Sequence, residues 1–263
     1  MLHLLIATHT EATPLIDNFK LKKKKFDEFS IYWNKNKNIS LTITGIGKVN
    51  SASSVSYTAS IFGFEKNNIW LNIGICGHKN FKIGDIFLVN KTIDRASAKV
   101  WFPSINIDTK IKQVSCITLD KIETKYENML FDMELSGIQQ SALKFSSIEF
   151  IHSLKIVSDN EKISQKCFYS KDISDLILNK MDEIEEFMIN IFILNDKFMA
   201  KNLIMEEIIK MVKRNNFKKN HILRVVYLLK RMELYNRKYS IKEISRFLHN
   251  PQKLIDFLNF IQK

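Results

Sequence analysis

A chain of 263 residues can bury a substantial core, and its 45% hydrophobic and 26% charged content are those expected of an ordinary soluble globular protein. Three cysteines, Cys76, Cys116 and Cys167, are odd in number and lack paired or metal-type spacing. They argue against a disulfide framework and a zinc site and fit a reducing cytoplasm. The net charge of +12 is uneven: residues 1–194 carry 24 Lys and Arg against 22 Asp and Glu, whereas residues 195–263 carry 16 against 6.

The apolar opening, Leu2–Ala7, is too short for a membrane span, lacks a basic leader, and reads as a buried first strand. Further strands are expected at Ile39–Thr44, Ile69–Ile73, Asp85–Asn90 and Leu154–Val157, and helices at Thr13–Phe19, Lys48–Phe62 and Met133–Phe145. Strands alternating with helices define an α/β layer fold. Lys22 to Lys25 read as a solvated loop or hairpin approach. From Asp172 onward apolar residues recur at helical spacing in Ile173–Ile193, Leu203–Val212, Ile222–Met232, Ile241–Leu248 and Leu254–Ile261. Ser240 with Glu243 forms a capping box, and Asn250 before Pro251 caps the last helix. Two domains are expected, 1–194 and a basic helical extension, 195–263.

Four separated segments carry a more specific signal. Ile6–Leu15 is a strand ending in a turn that presents Glu11 at a helix start. Thr44-Gly45-Ile46-Gly47-Lys48 joins a strand to a helix through glycines. Asn72-Ile73-Gly74-Ile75-Cys76-Gly77 is a glycine turn, followed by Gly84-Asp85. Phe131-Asp132-Met133-Glu134 is an acidic motif, with Val157-Ser158-Asp159-Asn160 after a later strand. In this order, over about 150 residues, they resemble the purine nucleoside phosphorylase and nucleosidase family, in its 5′-methylthioadenosine/S-adenosylhomocysteine nucleosidase branch. The resemblance implies a central mixed β-sheet flanked by helices, with the all-helical C-terminal region as an addition to it. It also implies hydrolysis of the N-ribosidic bond of an adenosine-type purine nucleoside without metal or cofactor, and a homo-oligomer, with a dimer favoured.

Breaking a ribosidic bond builds positive charge on the sugar and negative charge on the base, so the site needs polar groups at the sugar, a nucleophile and an acid. By resemblance Glu11 activates water, Met133 and Glu134 hold the ribose, and Asp159 protonates the purine, with Cys76, Gly77 and Ser158 also at the substrate. From the residues alone, Glu11 also reads as a first-turn dipole partner, Glu134 as a surface carboxylate, Asp159 as a helix cap and Cys76 as an inert apolar residue. Gly74 and Gly77 read as places where the backbone passes close to a ligand, and Gly45 and Gly47 as turn residues. Lys48 is expected to face solvent. The six histidines lack metal-ligand spacing, and His9 is kept as a substrate contact. Val114 to Met129 should supply a loop packing on the base but matches the family poorly.

Two alternatives stay open. Arg95 with Ser97 would bind phosphate in a phosphorylase, or Arg95 is exposed or ion-paired. A non-catalytic nucleoside-binding protein would use the basic residues 195–263 on nucleic acid or an acidic partner, the other reading of that tail being a helical cap or oligomer contact.

Overall fold

The computed structural model describes residues 1–24, 28–36, 38–123, 126–162, 170–234 and 240–261. Of the residues singled out above, Lys25 and Cys167 lie outside them. The chain divides into two compact units, Met1–Asn195 and Asp196–Lys263.

The first unit is built on β1 (Leu2–Ile6), whose five residues are all buried because it runs parallel between β4 (Ile39–Ile43) and β5 (Ile69–Gly77). A strand covered on both faces reads as a continuous apolar run. Between β1 and β4 lie helix α1 (His9–Phe19) and a hairpin of β2 (Lys22–Lys24) and β3 (Ile31–Asn34). Lys22 to Lys24 thus form a short edge strand, where lysines discourage further pairing. Helix α2 (Lys48–Phe62) leads to β5, and β6 (Ile86–Asp94) follows with β7 (Val100–Trp101), β8 (Gln113–Thr118) and β9 (Leu130–Asp132). Helix α3 (Leu135–Ala142) and a short 3₁₀ turn (Ile148–Phe150) precede β10 (Ile151–Asp159).

The sheet order is β10-β6-β8-β9-β5-β1-β4-β3-β2, and β10 also pairs with β5, so five strands close into a ring. The closure explains where the strands exceed expectation. Gly74 to Gly77 form no turn; they continue β5 beside β10, with Gly74 opposite Lys155 and Gly77 opposite Asp159. Strand β9 is three residues long and exists through its pairing with β8 and β5, so its local sequence gave little signal. Gly45 and Gly47 have φ of +78° and +96°, which only glycine adopts readily, and they turn β4 into α2. Gly137 lets α3 press on α2, since a Cβ there would collide with the Lys48 carbonyl.

The expected helix Met133–Phe145 is shorter, with Glu134 at its N-cap. In the carboxyl-terminal region the expected gap between 193 and 203 is absent. The break falls at residues 179–180, between α4 (Ser170–Leu178) and the 34-residue α5 (Met181–Arg214). Residues 194–202 contain neither Gly nor Pro, so nothing interrupts the helix. The second unit adds α6 (Lys219–Leu234), α7 (Ile241–Ser245) and α8 (Pro251–Ile261) around its own core, including Val212, Leu228, Ile244 and Leu258. Ser240 and Glu243 form the expected capping box, and Asn250 Oδ1 accepts from the Gln252 and Lys253 amides. Among the described residues no helix is long and apolar enough to cross a membrane.

Among the described residues, His3 and His152 are two of the three buried histidines of the first unit, the third being His78. His3 meets Ser40 Oγ at 2.7 Å beside the Trp70 ring, and His152 Nε2 meets the Glu149 carbonyl at 2.8 Å. Burial pushes their pKa values down to about 3 and about 4. In the unfolded chain each takes up a proton near pH 6.5, so the unfolded state binds more protons below that pH and native stability falls with acidification. Urea unfolding is expected to lose roughly 1.4 kcal/mol per pH unit per histidine between about pH 6 and 4.5. His152→Gln should remove one proton's worth of that slope; an unchanged slope would refute the assignment.

Candidate active site

The turn after β1 sets the first carboxylate. Thr8 caps α1, and Glu11, three residues on, closes the capping box: its Oε2 accepts from the Thr8 amide at 3.0 Å and the Thr8 hydroxyl at 2.7 Å. Its Oε1 accepts from the Ile75 amide at 3.0 Å, so Glu11 joins the helix start to β5 and is 3% exposed. Glycine at 74 is what permits this approach, since a Cβ there would stand 3.1 Å from Glu11 Oε1. Glu11 is therefore a first-turn residue and a cavity residue at once.

Glu134, at the start of α3, accepts from the Gly47 amide at 3.0 Å and the Met133 amide at 3.2 Å. It is buried, not on the surface. Burial raises its pKa above the ordinary glutamate value and nearby Asp132 adds to this, against opposing contributions from Lys155 and the Gly47 amide.

Asp159 ends β10 just past a register shift and, among the described residues, caps no helix. Its Oδ1 accepts from the Ser158 hydroxyl at 2.6 Å, and its Oδ2 from the Tyr126 hydroxyl.

Behind these groups lies a pair that sequence reasoning missed. Lys155 Nζ and Asp132 Oδ2 are 2.8 Å apart, both almost wholly buried. Asp132 also accepts from Thr118 Oγ1 at 2.7 Å and the Leu135 amide at 2.8 Å. Although burial pulls the Lys155 pKa down, Asp132 and then Glu134 hold it above the usual lysine value, so the ammonium stays charged. The available signal was a lysine inside the otherwise apolar run Leu154 to Val157. Tyr126 carried no such signal, lying in a segment without periodicity.

Glu11, Asp132, Glu134 and Asp159 all line one cavity of about 350 Å³, together with Gly77, Met133, Tyr126 and the apolar Ile46, Ile75, Phe131 and Ile173. Of the other expected substrate residues, Cys76 and Ser158 do not line it. Strand alternation turns Cys76 the other way, into an apolar cluster with Phe87, Cys116 and Val157, where burial pushes its thiol pKa up. Ser158 reaches the site only through its hydroxyl on Asp159. His9 is exposed, edge-on to Tyr32, and not in the cavity.

Lys48 does not face solvent as expected; it bridges Asp94 and Asp120 at 2.8 Å each. Arg95 pairs with Glu127 at 2.7 Å and Glu123 at 3.7 Å, and the Ser97 amide donates to Asp94 at 2.7 Å. Among the described residues, no group of three His, Cys, Asp or Glu side chains is placed to hold a metal ion.

The fold that carries this arrangement is shared with solved nucleosidases. The 5′-methylthioadenosine/S-adenosylhomocysteine nucleosidase of S. pneumoniae, solved with a transition-state inhibitor, superposes with a TM-score of 0.58 over 72% of this chain and 98% of that one, at 16% identity. The corresponding nucleosidase of Neisseria meningitidis gives 0.55 over 71% and 97%, at 19% identity. Futalosine hydrolase of Helicobacter pylori gives 0.54 over 71% and 96%, at 16% identity. At these identities the likeness establishes the fold. No protein-family model matches the sequence, and no curated protein matches it significantly.

Removing one partner of a buried ion pair strands the other charge. Lys155→Met is expected to destabilise the protein by about 3–5 kcal/mol in denaturant unfolding, with Asp132→Asn in the same chain recovering part of the loss. A loss below about 1 kcal/mol would show that the pair is not structural.

Proposed function

We propose that this chain hydrolyses the N-ribosidic bond of a purine nucleoside of adenosine or 5′-methylthioadenosine type, releasing the free base. The observation that carries the proposal is the convergence of Glu11, Glu134 and Asp159, from three distant segments, on one cavity. Its size falls within the range of roughly 300–1,000 Å³ usual for small-molecule sites. The fold shared with solved nucleosidases supports the same chemistry by analogy.

Each carboxylate has a task suited to its surroundings. Glu134, fixed by two backbone amides, accepts hydrogen bonds from ribose hydroxyls and stabilises positive charge developing on the sugar. Glu11, held by Thr8 and the Ile75 amide, orients a water molecule towards the anomeric carbon and takes its proton. Asp159 delivers a proton to the imidazole-ring nitrogen of the departing base. The bond between the anomeric carbon and the base nitrogen breaks with its electron pair moving to the base, and the new bond joins water oxygen to that carbon. Met133 and Gly77 form apolar and backbone surfaces beside the sugar and the base.

Water is favoured over phosphate as the nucleophile. The carboxylates lining the cavity are Glu11, Glu123, Asp132, Glu134 and Asp159, against Lys121 in the lining and Lys155 behind Asp132, a balance that disfavours a phosphate dianion. Arg95 is engaged by Glu123 and Glu127.

Incubation with methylthioadenosine, adenosine and inosine should release base at the same rate with and without phosphate. Asp159→Asn and Glu134→Gln should each lower kcat/KM by roughly 100- to 10,000-fold. Because Glu134 must be ionised and its pKa is raised, activity should fall on acidification at a pH above that of an ordinary glutamate. Strict phosphate dependence would select a phosphorylase, and absence of base release from all three nucleosides would defeat the proposal.

A further inference from the structure

Tyr126 lies between β8 and β9, and its ring rests on the backbone of β5. A Cβ on Gly77 would come within 2.6 Å of Tyr126 Cε1 and Cζ, so the ring occupies space that only glycine leaves free. The ring also meets Phe131 edge-on, with centroids 5.2 Å apart and planes at 71°. Its hydroxyl donates to Asp159 Oδ2, while Ser158 fills Oδ1. Burial, reinforced by the neighbouring Asp159, pushes the phenol's pKa up, so the phenol keeps its proton and remains a donor.

Both oxygens of Asp159 are thus engaged as acceptors. A base nitrogen approaching the Oδ2 side of Asp159 therefore has to compete with the phenol for its place there. A planar ring approaching Asp159 along Gly77 and Phe131 also needs the volume that the Tyr126 ring fills.

We propose that Tyr126 is a latch on the base subsite: it takes the place of the base against Gly77 and the place of the base on Asp159, and a purine enters by displacing it. Tyr126 then sets base affinity through competition, and it favours ligands that form a hydrogen bond of their own with Asp159 once the phenol has left. This rests on the assignment of Asp159 to the base made under Proposed function.

The conservative variant Tyr126→Phe keeps the ring and deletes the donor. By calorimetry it is expected to bind adenine on the order of tenfold more tightly than the native chain, since the ligand no longer competes with the phenol's hydrogen bond at Asp159. In protein labelled with ¹³C at tyrosine Cζ, the Tyr126 resonance, identified by its loss in Tyr126→Phe, should move on Asp159→Ala in the absence of ligand. It should also move when adenine is added to the native chain. Equal or weaker adenine binding by Tyr126→Phe, or a Tyr126 resonance unmoved by bound adenine, would overturn the latch while leaving the nucleosidase proposal intact if base release is observed. Adenine binding to neither protein, with the resonance still moved by Asp159→Ala, would establish the contact but refute the nucleoside assignment of the cavity, and the latch would fall with it.

Discussion

The first unit depends on one buried cation. Glu11, Asp132, Glu134 and Asp159 are brought together with little access to water, and uncompensated burial of several carboxylates would drive them to neutrality or apart. Lys155 answers that constraint from the middle of β10, paired with Asp132 and acting also on Glu134. Its ion pair holds the first turn of α3 through Asp132, which also accepts from the Leu135 amide. Charge balance and local backbone geometry at the cavity are therefore one arrangement.

The topology explains why side chains so far apart along the chain meet. Strands β1, β5 and β10 run parallel, so their carboxyl ends lie together at one end of the sheet. Glu11 follows β1, Gly77 ends β5, and Asp159 ends β10. Glycines at 74 and 77 serve close approach rather than turning: one admits the Glu11 carboxylate and the other the Tyr126 ring.

Much of this was legible in the sequence where local pattern and tertiary role coincide. Strand β1 is an unbroken apolar run because it is central. Helix α2 has the bounds Lys48–Phe62 expected from its glycine start and its uninterrupted run. Glu11, Met133, Glu134, Gly77 and Asp159 were named from motifs and share a cavity. What escaped was set by pairing across the ring. Gly74 to Gly77 read as a turn until β10 is placed beside them; β8 and β9 have weak local signals; and whether Cys76 faces ligand or core depends on a strand register that no single segment encodes. Lys48 and Lys155 were underrated for a related reason, since a lysine's fate depends on carboxylates remote in sequence.

The second unit has its own apolar core, and it carries nearly all of the excess positive charge, yet none of the proposed chemistry calls on it. The decisive quantity is the position of a nucleoside relative to the three carboxylates. A crystal structure of the Asp159→Asn variant with methylthioadenosine should place the ribose hydroxyls within hydrogen-bond distance of Glu134 and the imidazole edge of the purine against residue 159, with Glu11 on the opposite face of the sugar. A nucleoside bound elsewhere, or lying in the cavity with its base turned away from residue 159, would contradict the account.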